Sequence, residues 1–202
     1  MTITPSNLAA FVADTRIAIY EEEQRLNAAD ARIGDGDTGS MLRRVIDAMA
    51  KVDTARAASL ADAAMALAQA AMKETGSSLG TLIATAAMAF AKAAKAADNE
   101  ISANNIGRVV SEMRDSVAAR GKALPGDKTV IDSLDAIAVA LNTDAAANRS
   151  TAAKAANDAL DAFRGKPCRI GRARMFPERS TGADDPGMLA IALILQHVTM
   201  TQ

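Results

Sequence analysis

Three aspartates, Asp30, Asp35 and Asp37, crowd a glycine-flanked turn in the stretch DARIGDGDTGSM. Hard carboxylate oxygens on such a turn suit Mg²⁺, an ion that keeps waters and phosphate oxygens in its coordination shell. The run Gly34-Asp35-Gly36-Asp37-Thr38-Gly39 also spells the G-x-G-x-x-G of dinucleotide-binding loops. A Rossmann turn needs a strand before the first glycine, and two carboxylates would repel an approaching pyrophosphate, so that reading fails. An EF-hand loop counted from Asp35 fails as well, because Ser40 falls where the glycine belongs and Ile46 where the bidentate glutamate belongs. Two readings of the turn stay open. Either it holds Mg²⁺ that brings a polyphosphate with it, or it is a solvated acidic turn in which Asp37 or Thr38 caps the next helix.

Three further stretches carry polar groups at places where helices begin. TGSSLGT, Thr75 to Thr81, sets glycines, hydroxyls and unpaired backbone N–H groups at a helix start, where the dipole favours an anion; the same residues also read as a capped turn between helices. GKALPGDKT, Gly121 to Thr129, resembles a P-loop, but Asp127 intrudes before Lys128-Thr129 and no strand precedes it, so it is read as a turn capping the next helix. GRARMFPERSTGADDPGM offers guanidinium groups at Arg172, Arg174 and Arg179 for phosphate, and Asp185-Pro186 opens a last helix. His197 falls in the final turn of that helix, where a dipole contact is expected. Cys168, the one cysteine, excludes an internal disulfide and is expected to be a small buried thiol.

The elements that must position these residues are helical. Alanine dominates the composition, aromatic residues make up 2% and β-branched runs are short, a balance that favours helix on propensity alone. Thr4-Pro5 starts a first helix expected to reach about Leu26. Others are predicted over Ser40 to Val52, from a Ser59-x-x-Asp62 start to Gly76, and over Ser78 to Ala97, Ala103 to Arg120 and Lys128 to Leu141. The last two cover Asp144 to Arg164, with Thr143 as cap, and Asp185 to about Thr199. The prediction is an all-α chain of eight helices whose short turns imply antiparallel neighbours. In an up-and-down bundle the connections after helices one, three, five and seven share one end, so all four chemistry-bearing loops are expected on a single rim.

With 202 residues the chain suits one domain. A net charge of −1 gives no field for nucleic acid or an anionic membrane. The longest apolar run, Met188 to Leu195, is too short to span a bilayer, and MTITPSNLAAF lacks the basic-then-apolar pattern of a secretory signal, so a cytoplasmic location is expected.

Taken in order, LNAADARIGDGDTGSM, TGSSLGTLIAT, RGKALPGDKTVIDSL and GRARMFPERSTGADDPGM resemble the nucleotide-binding, DhaL-type subunit of dihydroxyacetone kinase. The resemblance spans residues 1–202 as a single nucleotide-binding domain. It implies a closed ring of eight antiparallel amphipathic helices with ATP or ADP at one end, its phosphates held through two Mg²⁺ ions. By position it makes Asp30, Asp35 and Asp37 the metal carboxylates, and it places Thr38, Ser77 and Ser78 beside the phosphates. Gly121 and Val130 fall at positions lining the base, and Arg172 and Asp185 in a C-terminal nucleotide loop, with Arg172 adding charge stabilisation during transfer. It also implies a partner subunit of DhaK type that holds the keto-sugar, since this chain has no such domain. The donor is either exchangeable ATP or a retained ADP recharged by a phosphohistidine carrier. Met41 stands where the family commonly has Asn, and Leu79 where it commonly has Gly. These departures leave room for a related keto-sugar substrate such as a tetrulose, or for a regulatory protein that binds nucleotide without turnover.

Overall fold

The computed structural model describes residues 2–143, 146 and 148–200. Its helices are α1 (Pro5–Ala31), α2 (Thr38–Ala50), α3 (Leu60–Glu74), α4 (Ser78–Ala96), α5 (Ile106–Gly121), α6 (Val130–Thr143), α7 (Arg149–Arg164), the single turn α8 (Pro177–Ser180) and α9 (Pro186–Met200). Among the described residues there is no strand, only an isolated bridge between Thr2 and Ser102. The eight long helices match the all-α expectation, and α8 is an added turn inside the 165–184 connection, started by Pro177 at its first position.

Local chemistry sets most helix starts. Thr4 and Asn7 form a capping box for α1, Ser59 accepts from the Asp62 N–H to start α3, and Ser77 accepts from the Gly80 N–H to start α4. Several expected boundaries move, α2 among them, which covers Thr38–Ala50 in place of Ser40 to Val52. Helix α1 runs through Asn27-Ala28-Ala29-Asp30-Ala31 instead of stopping at Leu26, since no glycine or proline interrupts it before Gly34. Helix α5 starts at Ile106 because the Asn105 side chain accepts from the Ser102 N–H and holds the preceding residues in a turn. Helix α6 starts at Val130 because Lys128 adopts a left-handed backbone, φ +62°. Thr143 is the last residue of α6, its hydroxyl donating to the Val139 carbonyl, and Asn148 caps α7 instead; Asp144 lies outside the described residues.

Side-chain pairs establish that neighbours run antiparallel. Between α1 and α2 the partners are Asn27 with Ser40, Glu23 with Arg43, and Arg16 with Asp47; between α5 and α6 they are Arg114 with Asp135 and Asn142 with Ser111. Each long helix packs on the next, and α9 lies against both α7 and α1, which closes the ring. The main core joins Leu26 of α1, Val45 of α2, Leu67 of α3, Ile137 of α6, Leu160 of α7 and Met188 of α9. Among the described residues, helix α4 alone is long and apolar enough to cross a membrane by length and composition, contrary to the expectation of no such segment. It serves as a member of the ring, packed between α3 and α5.

The connections after α1, α3, α5 and α7 meet at one end, as expected. Ile33 of the first clusters with Cys168, Ala173 and Ala183 of the last. Leu79 and Leu82 at the start of α4 pack with Val130 and Ile170. A Cβ on Gly187, in the first turn of α9, would lie 2.5 Å from Val130 Cγ1 and 3.6 Å from Leu79 Cδ1, so three helix starts crowd together there.

Candidate functional site

The acidic turn is built from the last turns of α1. Asp30 is 8% exposed, and its Oδ2 accepts the backbone N–H groups of Gly36 at 2.9 Å, Asp37 at 3.0 Å and Thr38 at 3.3 Å. Gly34 leaves room for the other oxygen, since a Cβ there would stand 2.2 Å from Asp30 Oδ1. Gly36 supplies the φ of +80° that folds the turn back over Asp30.

One helical turn earlier, Asn27 Oδ1 accepts the N–H groups of Gly39 at 2.7 Å and Ser40 at 3.1 Å. Asn27 and Asp30 of α1 thereby satisfy the orphan N–H groups at the start of α2. Asp37, at the N-cap position, makes no side-chain cap bond. The capping role that the sequence allowed for Asp37 or Thr38 has gone to α1, and the Asp37 carboxylate faces outward with that of Asp35. Oxygens of Asp30, Asp35 and Asp37 all lie within 4.8 Å of one another. One anchored carboxylate and two solvent-exposed ones form an all-oxygen donor set. This suits a hard divalent cation that also keeps outside ligands.

The remaining expected residues fall on the same end in different conditions. Ser77 Oγ is occupied in capping α4, at 3.0 Å from the Gly80 N–H, and Ser78 is exposed in the first turn. Gly80 is obligatory, because a Cβ would come 1.8 Å from Thr75 Oγ1. Gly121 ends α5 facing Leu82, and Val130 is buried under Gly187. Arg172 opens a 3₁₀ turn, Arg172–Met175, and its side chain lies outside the described residues. Asp185 Oδ1 accepts the Met188 N–H at 2.9 Å and so caps α9. Burial pushes its carboxyl up to about 6, against the lowering effect of that backbone bond. His197 stands 3.4 Å from Glu21 of α1, and Cys168 is buried, its thiol pushed up by burial.

Two residues that organise this end escaped the sequence reading. Asp132 is 4% exposed and accepts the N–H groups of Gly126 at 2.5 Å and Thr129 at 2.8 Å, fixing the α5–α6 turn. The Thr129-x-x-Asp132 spacing, a capping pattern, was its available signal. Lys128, in the P-loop-like run, points away from solvent and is 1% exposed, so it is not a phosphate lysine.

The closed ring of helices is a fold already seen in solved structures. The dihydroxyacetone kinase of C. freundii, crystallised with AMP-PNP and Mg²⁺, superposes with a TM-score of 0.75 at 21% identity, over 100% of this chain and 35% of that one. The chain belongs to the DAK2 domain family, which matches residues 32–200. It is similar to the ADP-binding subunit DhaL of a PEP-dependent dihydroxyacetone kinase from Listeria innocua, 30% identical over 91% of this chain and 90% of that protein. It is also similar to L-erythrulose 1-kinase of Mycolicibacterium smegmatis, 29% identical over 96% of this chain. The chain spans 36% of that longer kinase. The resemblance to DhaL-type subunits read from the four loops is thus borne out.

Proposed function

We propose that this chain is the nucleotide-binding subunit of a kinase acting on dihydroxyacetone or a related short keto-sugar, passing a phosphoryl group from bound nucleotide to substrate on a DhaK-type partner subunit. One observation carries the reading: three carboxylates converge within 4.8 Å on a turn where Asp30 is locked by backbone N–H groups and Asp37 is released from capping. The family match and the ADP-binding relative support it.

Asp30, Asp35 and Asp37 would hold two Mg²⁺ ions, which when bound neutralise phosphate oxygens and orient the terminal phosphoryl group for in-line attack. Thr38 and Ser78, in the first turns of α2 and α4, offer hydroxyls and helix N-termini to phosphate, while Ser77 keeps the α4 start rigid by capping it. Gly121 and Val130 border the base. Asp185 fixes the start of α9, and Arg172 supplies positive charge to the transferred group. Met41 and Leu79 depart from the family pattern, yet Met41 is 3% exposed in the core and Leu79 packs beside Val130. The relative named as a PEP-dependent, ADP-binding subunit fits a route in which retained ADP is recharged, by a phosphohistidine carrier in this reading; exchangeable ATP is the alternative donor.

Native mass spectrometry with Mg²⁺ and ADP or ATP tests the binding. The wild type is expected to carry nucleotide with metal and Asp35→Asn to carry neither; wild type that stays bare contradicts the reading. Sugar phosphate formed on adding a substrate-holding subunit would rule out the regulatory alternative.

A further inference from the structure

Lys128 is the largest side chain in the fully buried set, and its ammonium meets no carboxylate by hydrogen bond among the described residues. Its Nζ donates to three carbonyls, Arg164 at 3.0 Å, Lys166 at 2.7 Å and Ser180 at 2.7 Å. Three N–H groups thus find three acceptors, which uses the whole donor capacity of the ammonium.

The acceptors lie on the two ends of one connection. Arg164 closes α7 and Lys166 follows it, while Ser180 closes α8 shortly before α9. Other bonds join the same neighbourhood. The Arg169 N–H donates to the Asp127 carbonyl at 3.1 Å, the Cys168 N–H to Ser180 Oγ at 3.0 Å, and the Gly182 N–H to the Arg164 carbonyl at 2.8 Å. The left-handed backbone at Lys128, uncommon for a residue with a side chain, aims the amine inward instead of continuing into α6. A buried cation is an expensive way to gain stability, since an apolar side chain of similar size avoids the desolvation cost. What the ammonium adds is selection: only one arrangement of the connection satisfies all three of its donors.

We propose that Lys128 is a positioning residue that gathers both ends of residues 165–184 onto the start of α6, fixing the stretch that carries Arg172 and leads into Asp185, and so sets nucleotide affinity without touching the nucleotide. The proposal rests on the nucleotide-binding reading above. The P-loop-like lysine serves the site from behind.

The test compares the full-length wild type with Lys128→Met in three measurements: Mn²⁺ binding alone by electron paramagnetic resonance, ADP affinity in the presence of Mg²⁺, and the rate of tryptic cleavage within 165–184. The variant is expected to bind Mn²⁺ within twofold of wild type, because Asp30 is anchored by backbone N–H groups of its own turn even though Ile33 packs on Cys168; loss of Mn²⁺ binding in the variant would overturn a role confined to nucleotide affinity. It should lose ADP affinity at least tenfold and be cut in 165–184 at least tenfold faster. ADP affinity within twofold of wild type, or unchanged cleavage, would overturn the positioning role alone. Wild type that binds Mn²⁺ but no ADP would overturn the nucleotide reading and this role together. Amide exchange on the wild type needs no variant: ADP with Mg²⁺ should slow the Cys168, Arg169 and Gly182 amides together, and no slowing would equally overturn the role.

Discussion

At the scale of single residues, the site depends on which polar groups are already committed. Asp30 spends one oxygen on three backbone N–H groups, and Ser77 spends its hydroxyl on Gly80, whereas Asp37 makes no capping bond. The aspartate triad was legible as a candidate because carboxylates on a glycine-flanked turn suit a hard cation, although the same residues also read as a solvated capping turn. The commitment of each oxygen was not legible, since it depends on partners brought by folding. Asp185 gives a direct test at this scale. Its folded carboxyl titrates near 6 against an ordinary 3.8, so the folded protein holds that proton more tightly than the unfolded chain. The stability it contributes is full below the ordinary value and is lost as pH rises through about 6. Relative to Asp185→Asn, the ligand-free wild type should therefore lose on the order of 2 kcal/mol between about pH 4 and pH 7. Urea denaturation of both proteins across that range checks it, and parallel curves would show that the carboxyl is not held this way.

At the scale of elements, the outcome turns on where helices stop. Extending α1 from Leu26 to Ala31 adds Asn27 and Asp30 to the face that already carries Glu23, and together they receive the start of α2. Periodicity and composition located all eight long helices, because apolar spacing and capping residues are local signals. They missed the α1 end, the Asn148 cap and the left-handed Lys128, each decided by a side chain or backbone bond that a helical pattern does not encode. Asn27→Ala should remove two cap bonds from α2 and cost about 1–2 kcal/mol in denaturant unfolding, with ADP affinity falling as the acidic turn loosens. A variant as stable as wild type would mean that α2 is capped by other means.

At the scale of the whole molecule, ring closure by α9 against α1 and α7 turns four separated connections into one end. Up-and-down topology made that convergence predictable, since alternate connections must share an end. The contacts that lock the end were out of reach of sequence. Ile33 against Cys168, Val130 under Gly187 and Lys128 under the 165–184 connection all join residues far apart in the chain. The central claim is that this end binds a nucleotide through divalent cations on Asp30, Asp35 and Asp37. Anomalous diffraction from crystals grown with Mn²⁺ and ADP tests it most directly. Manganese peaks bonded to oxygens of these three aspartates, with nucleotide phosphates on their far side, are the expected result; an aspartate pocket without manganese, or ADP bound elsewhere on the ring, would contradict it.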